Sequence, residues 1–148
     1  IMVGECRDPE TISAALEAAL TGHPVYTTLH TSGVAETMRR LVTSFSGEER
    51  LGRTIDILET IRLCIWQKLV PTVDGRRVAL REYLVFDEQA RDILLESDPN
   101  DITRMTRKLV RQRGQLMTLD AKEKFDAGII SERTYKLIVA GTKQQGLE

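Results

Sequence analysis

Ile1-Met2-Val3-Gly4-Glu5-Cys6-Arg7-Asp8-Pro9-Glu10-Thr11 opens the run whose reading decides the fold, and the run closes on Leu29-His30-Thr31. Ile1-Met2-Val3 is too short and too apolar for anything but the end of a buried strand, and Gly4 permits a sharp turn or close approach of a ligand. Asp8 offers an N-cap carboxylate. Pro9 suits the first helical position, where its missing N–H would have had no partner, and Glu10 favours the positive helix end. Ile12, Ala15, Leu16 and Ala19 then recur at helical spacing until Gly22 and Pro24 stop the pattern. Val25 to Leu29 is β-branched, aromatic and apolar, so the next strand is predicted there. The unit is β-α-β, which implies an α/β fold with parallel strands and a right-handed crossover. Ligands of such sheets gather beyond the carboxyl ends of the strands. Glu5 and His30 are therefore predicted on one edge, with His23 at the opposite end of its strand.

The spacing argues against a metal centre built on the histidines. If the residues from His23 to His30 are extended at about 3.3 Å each, their backbones stand roughly 23 Å apart. Neither histidine has a second ligand at the three- or four-residue spacing common in zinc sites.

The 148 residues leave room for one core, and 41% apolar with 29% charged residues is ordinary for a globular chain. Twenty-one basic against 22 acidic residues give a net charge of −1, so no global field favours nucleic acid. Cys6 and Cys64 fall in separate elements and suggest no disulfide framework, which fits a reducing compartment. No apolar run approaches about 18 residues and no signal peptide opens the chain, so membrane association is expected only through partners.

Beyond His30 the pattern turns mostly helical. Val34, Met38, Leu41, Val42 and Phe45 form one stripe, and Ser46-Gly47-Glu48-Glu49 reads as a capping box before a helix carrying Leu51, Ile55, Leu58 and Ile65. Val73-Asp74-Gly75-Arg76 reads as a hairpin turn between strands Trp66 to Thr72 and Arg77 to Phe86. Val78, Leu80, Leu84 and Phe86 share a face with Glu82, a carboxylate that needs an arginine or backbone donors. Four helices are predicted next: Glu88 to Glu96, Ile102 to Arg113, Leu119 to Ala127 and Glu132 to Ala140. On the second, Ile102, Met105 and Leu109 face the core, while Arg104, Arg107, Lys108 and Arg111 form a positive stripe. Without interleaved aromatics or a basic balance, that stripe reads as solvated surface rather than a nucleic-acid platform.

Two of these segments carry a specific resemblance. Ile1 to Thr11 resembles the Walker B strand of the secretion-superfamily ATPases of type II secretion, type IV pili and type IV secretion. Thr21-Gly22-His23-Pro24-Val25-Tyr26-Thr27-Thr28-Leu29-His30-Thr31 resembles their histidine box. Glu48-Glu49-Arg50, the Gly75 to Glu82 hairpin and Gly114-Gln115-Leu116-Met117-Thr118-Leu119-Asp120 are similar to the pilus-retraction members. Glu36 to Val42 and Leu80 to Phe86 are most like the ATPases of Dot/Icm-type secretion and related plasmid conjugal-transfer systems.

The resemblance implies the C-terminal half of a RecA-like P-loop NTPase sheet over residues 1–86, followed by a helical C-terminal lobe over 87–148. It implies Glu5 as the Walker B acid that orients the attacking water and helps hold Mg²⁺ through water, and His30 as a hydrogen-bond donor to the γ-phosphate. Arg7, His23 and Arg40 match positions that contact nucleotide or a neighbouring subunit, although an ion pair of Arg7 with Asp8 or Glu10 serves equally well on the residues alone. Cys6 stands where methionine is common, an exchange between two soft, compact side chains. Thr28 and Thr31 are expected to bond nearby backbone.

The implied parent is a cytoplasmic homo-hexamer using ATP and Mg²⁺, peripherally associated with the inner membrane through secretion-platform proteins and making no direct contact with nucleic acid. No Gly-x-x-x-x-Gly-Lys-Ser/Thr loop occurs in the chain, so it is expected to be a piece, inactive alone, of a parent carrying that loop roughly 60 to 70 residues upstream. The alternative reading is a partner-docking or assembly module of the secretion apparatus.

Overall fold

A computed structural model describes residues 1–144. Strand β1 (Met2–Val3) pairs in parallel with β2 (Tyr26–Thr27), and helix α1 (Pro9–Leu20) makes the crossover between them. Asp8 caps α1 as expected: its carboxylate accepts the Thr11 N–H at 2.8 Å, and Pro9 takes the first position. The second strand is shorter than the predicted Val25 to Leu29, because a ladder runs only as far as its partner does. Backbone pairing still frames it on both sides, with Tyr26 N–H on the Ile1 carbonyl at 2.9 Å and Cys6 N–H on the Thr28 carbonyl at 3.1 Å.

Helices α2 (Val34–Thr43) and α3 (Glu49–Thr60) follow. The expected capping box does not form: Glu48 is the N-cap and its side chain makes no capping bond. Gly47 adopts φ +58°, a left-handed conformation that turns the chain after Ser46 and delays the helix. Ile65, predicted on this helix, lies in β3 (Leu63–Pro71), since the helix ends at Thr60 and Ile61 is already extended. Strand β3 pairs antiparallel with β4 (Arg77–Val85) around the predicted turn, with Val70 opposite Val78 and Trp66 opposite Glu82.

The remaining helices are α4 (Glu88–Leu95), α5 (Ile102–Arg113), α6 (Met117–Asp126) and α7 (Glu132–Gln144), with a 3-10 turn at Pro99–Asp101. Helix α6 starts two residues before the predicted Leu119 because Leu116, in extended conformation, already accepts the Leu119 and Asp120 amides. The expected stripe on α5 is broken. Arg107 turns inward to Glu36 of α2 at 2.6 Å, and Arg104 is held by Asp101 at 2.9 Å.

Among the described residues, one apolar cluster joins Ile12 and Leu16 of α1, Met38 of α2, Ile57 and Leu58 of α3, Leu84 and Phe86 of the hairpin, Leu94 of α4 and Leu109 of α5. A second joins Val70 and Leu80 to Met117, Ala121, Ile130 and Ile138. Both clusters pack on one face of the hairpin, Leu80 belonging to the second and Leu84, four residues further along β4, to the first. The opposite face leaves Leu63, Ile65, Leu69 and Val85 exposed, and Met2 and Tyr26 are exposed on the short parallel pair. No helix among the described residues is long and apolar enough to cross a membrane.

Candidate functional site

The site edge is built by the two parallel strands. As each strand leaves the ladder, Thr28 Oγ1 donates to the Gly4 carbonyl at 2.5 Å and Thr27 Oγ1 donates to Cys6 Sγ at 3.2 Å. These bonds lock the two downstream segments side by side. Glu5 and His30 come together as a result, with Glu5 Oε1 standing 3.5 Å from His30 Nε2, within ion-pair reach whenever the ring is protonated.

Arg7 Nη2 binds the other oxygen, Glu5 Oε2, at 2.6 Å. The partner of Arg7 is thus Glu5, and not Asp8 or Glu10 as the residues allowed; Asp8 is already committed to Thr11 at the head of α1. Arg40 reaches back from α2 and donates through Nη1 to the His30 carbonyl at 2.8 Å. Arg39 is exposed. His23 stands at the far end of β2, where Nδ1 is 3.2 Å from Thr21 Oγ1. Of the five residues singled out in the sequence, four therefore meet at one edge and His23 does not.

The electrostatics follow from that grouping. The hydrogen bond from the Arg7 guanidinium holds the Glu5 carboxyl below the usual glutamate range against the opposing effect of burial, and the charges of Arg7, His30 and Arg40 add to the lowering. The acid is ionised at neutral pH. Three cationic or hydrogen-bond-donating groups around one carboxylate make an edge suited to an anionic ligand, with His30 81% exposed and free to turn toward it.

Among the described residues, no cluster of three or more His, Cys, Asp or Glu could hold a metal ion. A divalent cation at this edge would have Glu5 as its single carboxylate. That donor set fits Mg²⁺, which keeps several waters and binds through one or two carboxylates together with substrate phosphates, better than a cation needing an all-protein cage.

Glu82 has backbone donors, as its sequence position required. Its Oε1 accepts the Val34 N–H at 2.9 Å, and burial pushes its carboxyl above the usual range. Sequence reading missed the Glu36–Arg107 pair beside it. No local signal announced that pair, whose partners stand 71 residues apart; the faint signal here was for the Glu82 contact, because α2 begins after Gly33, which carries no capping side chain, so its first amide had to find an acceptor elsewhere.

Comparison with known proteins places the chain in a family. The profile of the family described as type II/IV secretion system protein matches residues 1–76. The twitching motility protein of Neisseria gonorrhoeae is 43% identical over 125 residues, which is 81% of this chain and 32% of that protein. The type IV pilus retraction ATPase PilT of Pseudomonas aeruginosa is 41% identical over 96 residues, 65% of this chain and 28% of that protein. Among solved structures, the Legionella pneumophila ATPase DotB superposes with a TM-score of 0.94 at 89% identity, covering 95% of this chain and 38% of that one. The pilus retraction motor PilT with bound ADP superposes at 0.79 and 31% identity, covering 91% of this chain and 38% of that one. The chain spans about a third of the length of these proteins. Its architecture is that of their RecA-like α/β domain with a helical lobe.

Proposed function

This chain belongs to the type II/IV secretion system protein family, and we propose that it is the C-terminal part of an ATP-hydrolysing motor that powers type IV secretion, conjugal transfer or pilus dynamics. The observation that carries the reading is the 3.5 Å approach of Glu5 and His30 at the downstream ends of adjacent parallel strands. Ionised Glu5 acts as the Walker B acid, accepting a hydrogen bond from the attacking water and orienting it toward the γ-phosphate. His30 donates to that phosphate, so its loss on release is felt in the histidine-box loop. Arg40 keeps that loop against α2 through the His30 carbonyl, and Arg7 holds the Glu5 carboxylate in place until a ligand or a neighbouring subunit claims the guanidinium. Mg²⁺, when bound through water to Glu5, would offset charge on the phosphates. His23 orders the start of β2 or meets a neighbouring subunit.

The parent works as a homo-hexamer on an inner-membrane platform, in the cytoplasm and without contact with nucleic acid, and its RecA-like part ends in this chain near residue 86, with the helical lobe beginning at 87; residues 145–148 of that lobe's expected span lie outside the described residues. The 148 residues include no glycine-rich lysine loop for the phosphates. Isothermal titration of this chain with Mg-ATP should therefore give no specific heat, and saturable micromolar binding with hydrolysis would overturn the assignment of the cradle to the rest of the parent. A second reading, a partner-docking module, is favoured by the exposed Leu63, Ile65, Leu69 and Val85 on the hairpin. Capture of the platform's cytoplasmic domain by this chain, abolished by Ile65→Asp, is the outcome that reading requires.

A further inference from the structure

We infer that Glu82 is a positioning residue for His30: from β4 it fixes the bend that carries the histidine, within a clasp that also takes Glu36 from α2 and Arg107 from α5. The first turn of a helix has amides without partners inside the helix, and α2 supplies no cap of its own. Glu82 supplies it from 48 residues away, accepting the Val34 N–H. Between Val34 and His30, bonds also reach Gly33, Thr31 and the His30 carbonyl. Thr37 Oγ1 donates to the Gly33 carbonyl at 2.8 Å and lies 2.7 Å from Thr31 Oγ1, while Arg40 holds the His30 carbonyl. The ends of both carboxylates lie against the bend: a β-carbon on Gly33 would stand 3.3 Å from Glu82 Oε1 and inside contact distance of Glu36 Oε2.

Glu36 Oε1 in turn binds Arg107, so side chains from α2, β4 and α5 gather beside Gly33, three residues after His30. A displacement of α5 therefore acts on the histidine through the clasp. Among the described residues, Glu36 Oε2 and Arg107 Nε are buried and make no hydrogen bond. The groups acting on Glu82 are Glu36 on α2, Arg107 on α5 and the Met117 amide at the head of α6, with the Cys64 thiol of β3 beside it. Burial outweighs the donors and raises its carboxyl, and Glu36 adds to the rise.

The consequence for phosphate sensing rests on the role proposed for His30, but the linkage is testable without nucleotide. Backbone-amide and imidazole NMR of the whole 148-residue chain across pH 4 to 8 should show one inflection common to the Val34 amide and the His30 ring, above the usual glutamate range. Glu82→Gln, isosteric and still an acceptor, should abolish the common inflection in both probes. Glu36→Gln removes a like charge facing Glu82 and should move the inflection to lower pH in both. An inflection that vanishes or moves at Val34 while the His30 trace is unchanged would reduce Glu82 to a cap and overturn the proposal. With no ATP in the tube, that failure leaves the motor reading standing, and Mg-ATP titration of the parent can fail separately.

Discussion

Replacing Arg107 by alanine should be among the most damaging changes open to a charged side chain in this molecule. Arg107 Nη2 meets Glu36 Oε1 at 2.6 Å, with 29% of the arginine and 22% of the glutamate side chain exposed. Removing one partner of a fully buried pair costs about 3–5 kcal/mol, because the remaining charge is stranded. Here water reaches roughly a quarter of each side chain and recovers part of that, so a loss of about 2–3 kcal/mol is expected. For a chain of this size it corresponds to a fall in Tm of roughly 5–10 °C. Urea unfolding followed by circular dichroism measures it directly. The internal control is Arg104→Ala on the same helix: its partner Asp101 lies at a similar 2.9 Å, but the pair is 73% and 44% exposed and should contribute nothing measurable. Adding Glu36→Gln to Arg107→Ala should restore about 1 kcal/mol or more by discharging the stranded carboxylate. If Arg107→Ala and Arg104→Ala unfold within about 0.5 kcal/mol of each other, the inward pairing is not what holds α2 to α5.

Leu84→Ala, at a side chain with no exposed surface in the first cluster, should cost about 2–5 kcal/mol in the same assay, whereas Leu69→Ala on the open face of the hairpin should stay within about 0.5 kcal/mol of the parent chain. Arg7→Ala should raise the midpoint of the Glu5 carboxyl, read by carboxyl carbon NMR, because the guanidinium is the largest cause of its depression. The sign for stability follows: an acid depressed in the folded state contributes above its unfolded midpoint and loses that contribution as pH falls through the lower folded one, so Arg7→Ala should make acid unfolding begin at higher pH. Cys64, its thiol pushed up to about 11 by burial, would be roughly a thousandth thiolate at pH 8 and should react far more slowly with an aromatic disulfide reagent than it does in urea.

The sequence was most legible where one local rule was enough. Asp8-Pro9 capped α1 as written, and the Asp74-Gly75 turn set the hairpin register with Glu82 on the buried side. The failures share a different origin. Gly47 in a left-handed conformation overrode a capping box that Ser46 and Glu49 spelled correctly, and Ile65 fitted the helical stripe of α3 as well as it fitted the strand it occupies. On α5, spacing put Arg107 beside Arg104, Lys108 and Arg111, yet spacing carries no knowledge of Glu36 seventy-one residues earlier. An ion pair between distant elements is a property of packing, and nothing local announces it.

The same division explains which part of the candidate site could be read. Glu5 and His30 sit at strand ends, and parallel pairing places consecutive strand ends together, so two positions in the sequence sufficed to predict one edge in space. What holds His30 in place could not be read that way, because Arg40, Thr37 and Glu82 arrive from a helix and from a hairpin strand beyond it. A nucleotide site needs both kinds of residue: those the strand ends deliver to the phosphate, and those that let a distant lobe learn whether it is there. In this chain the first kind is written in the β-α-β unit, and the second is written in the packing of α2 against β4 and α5.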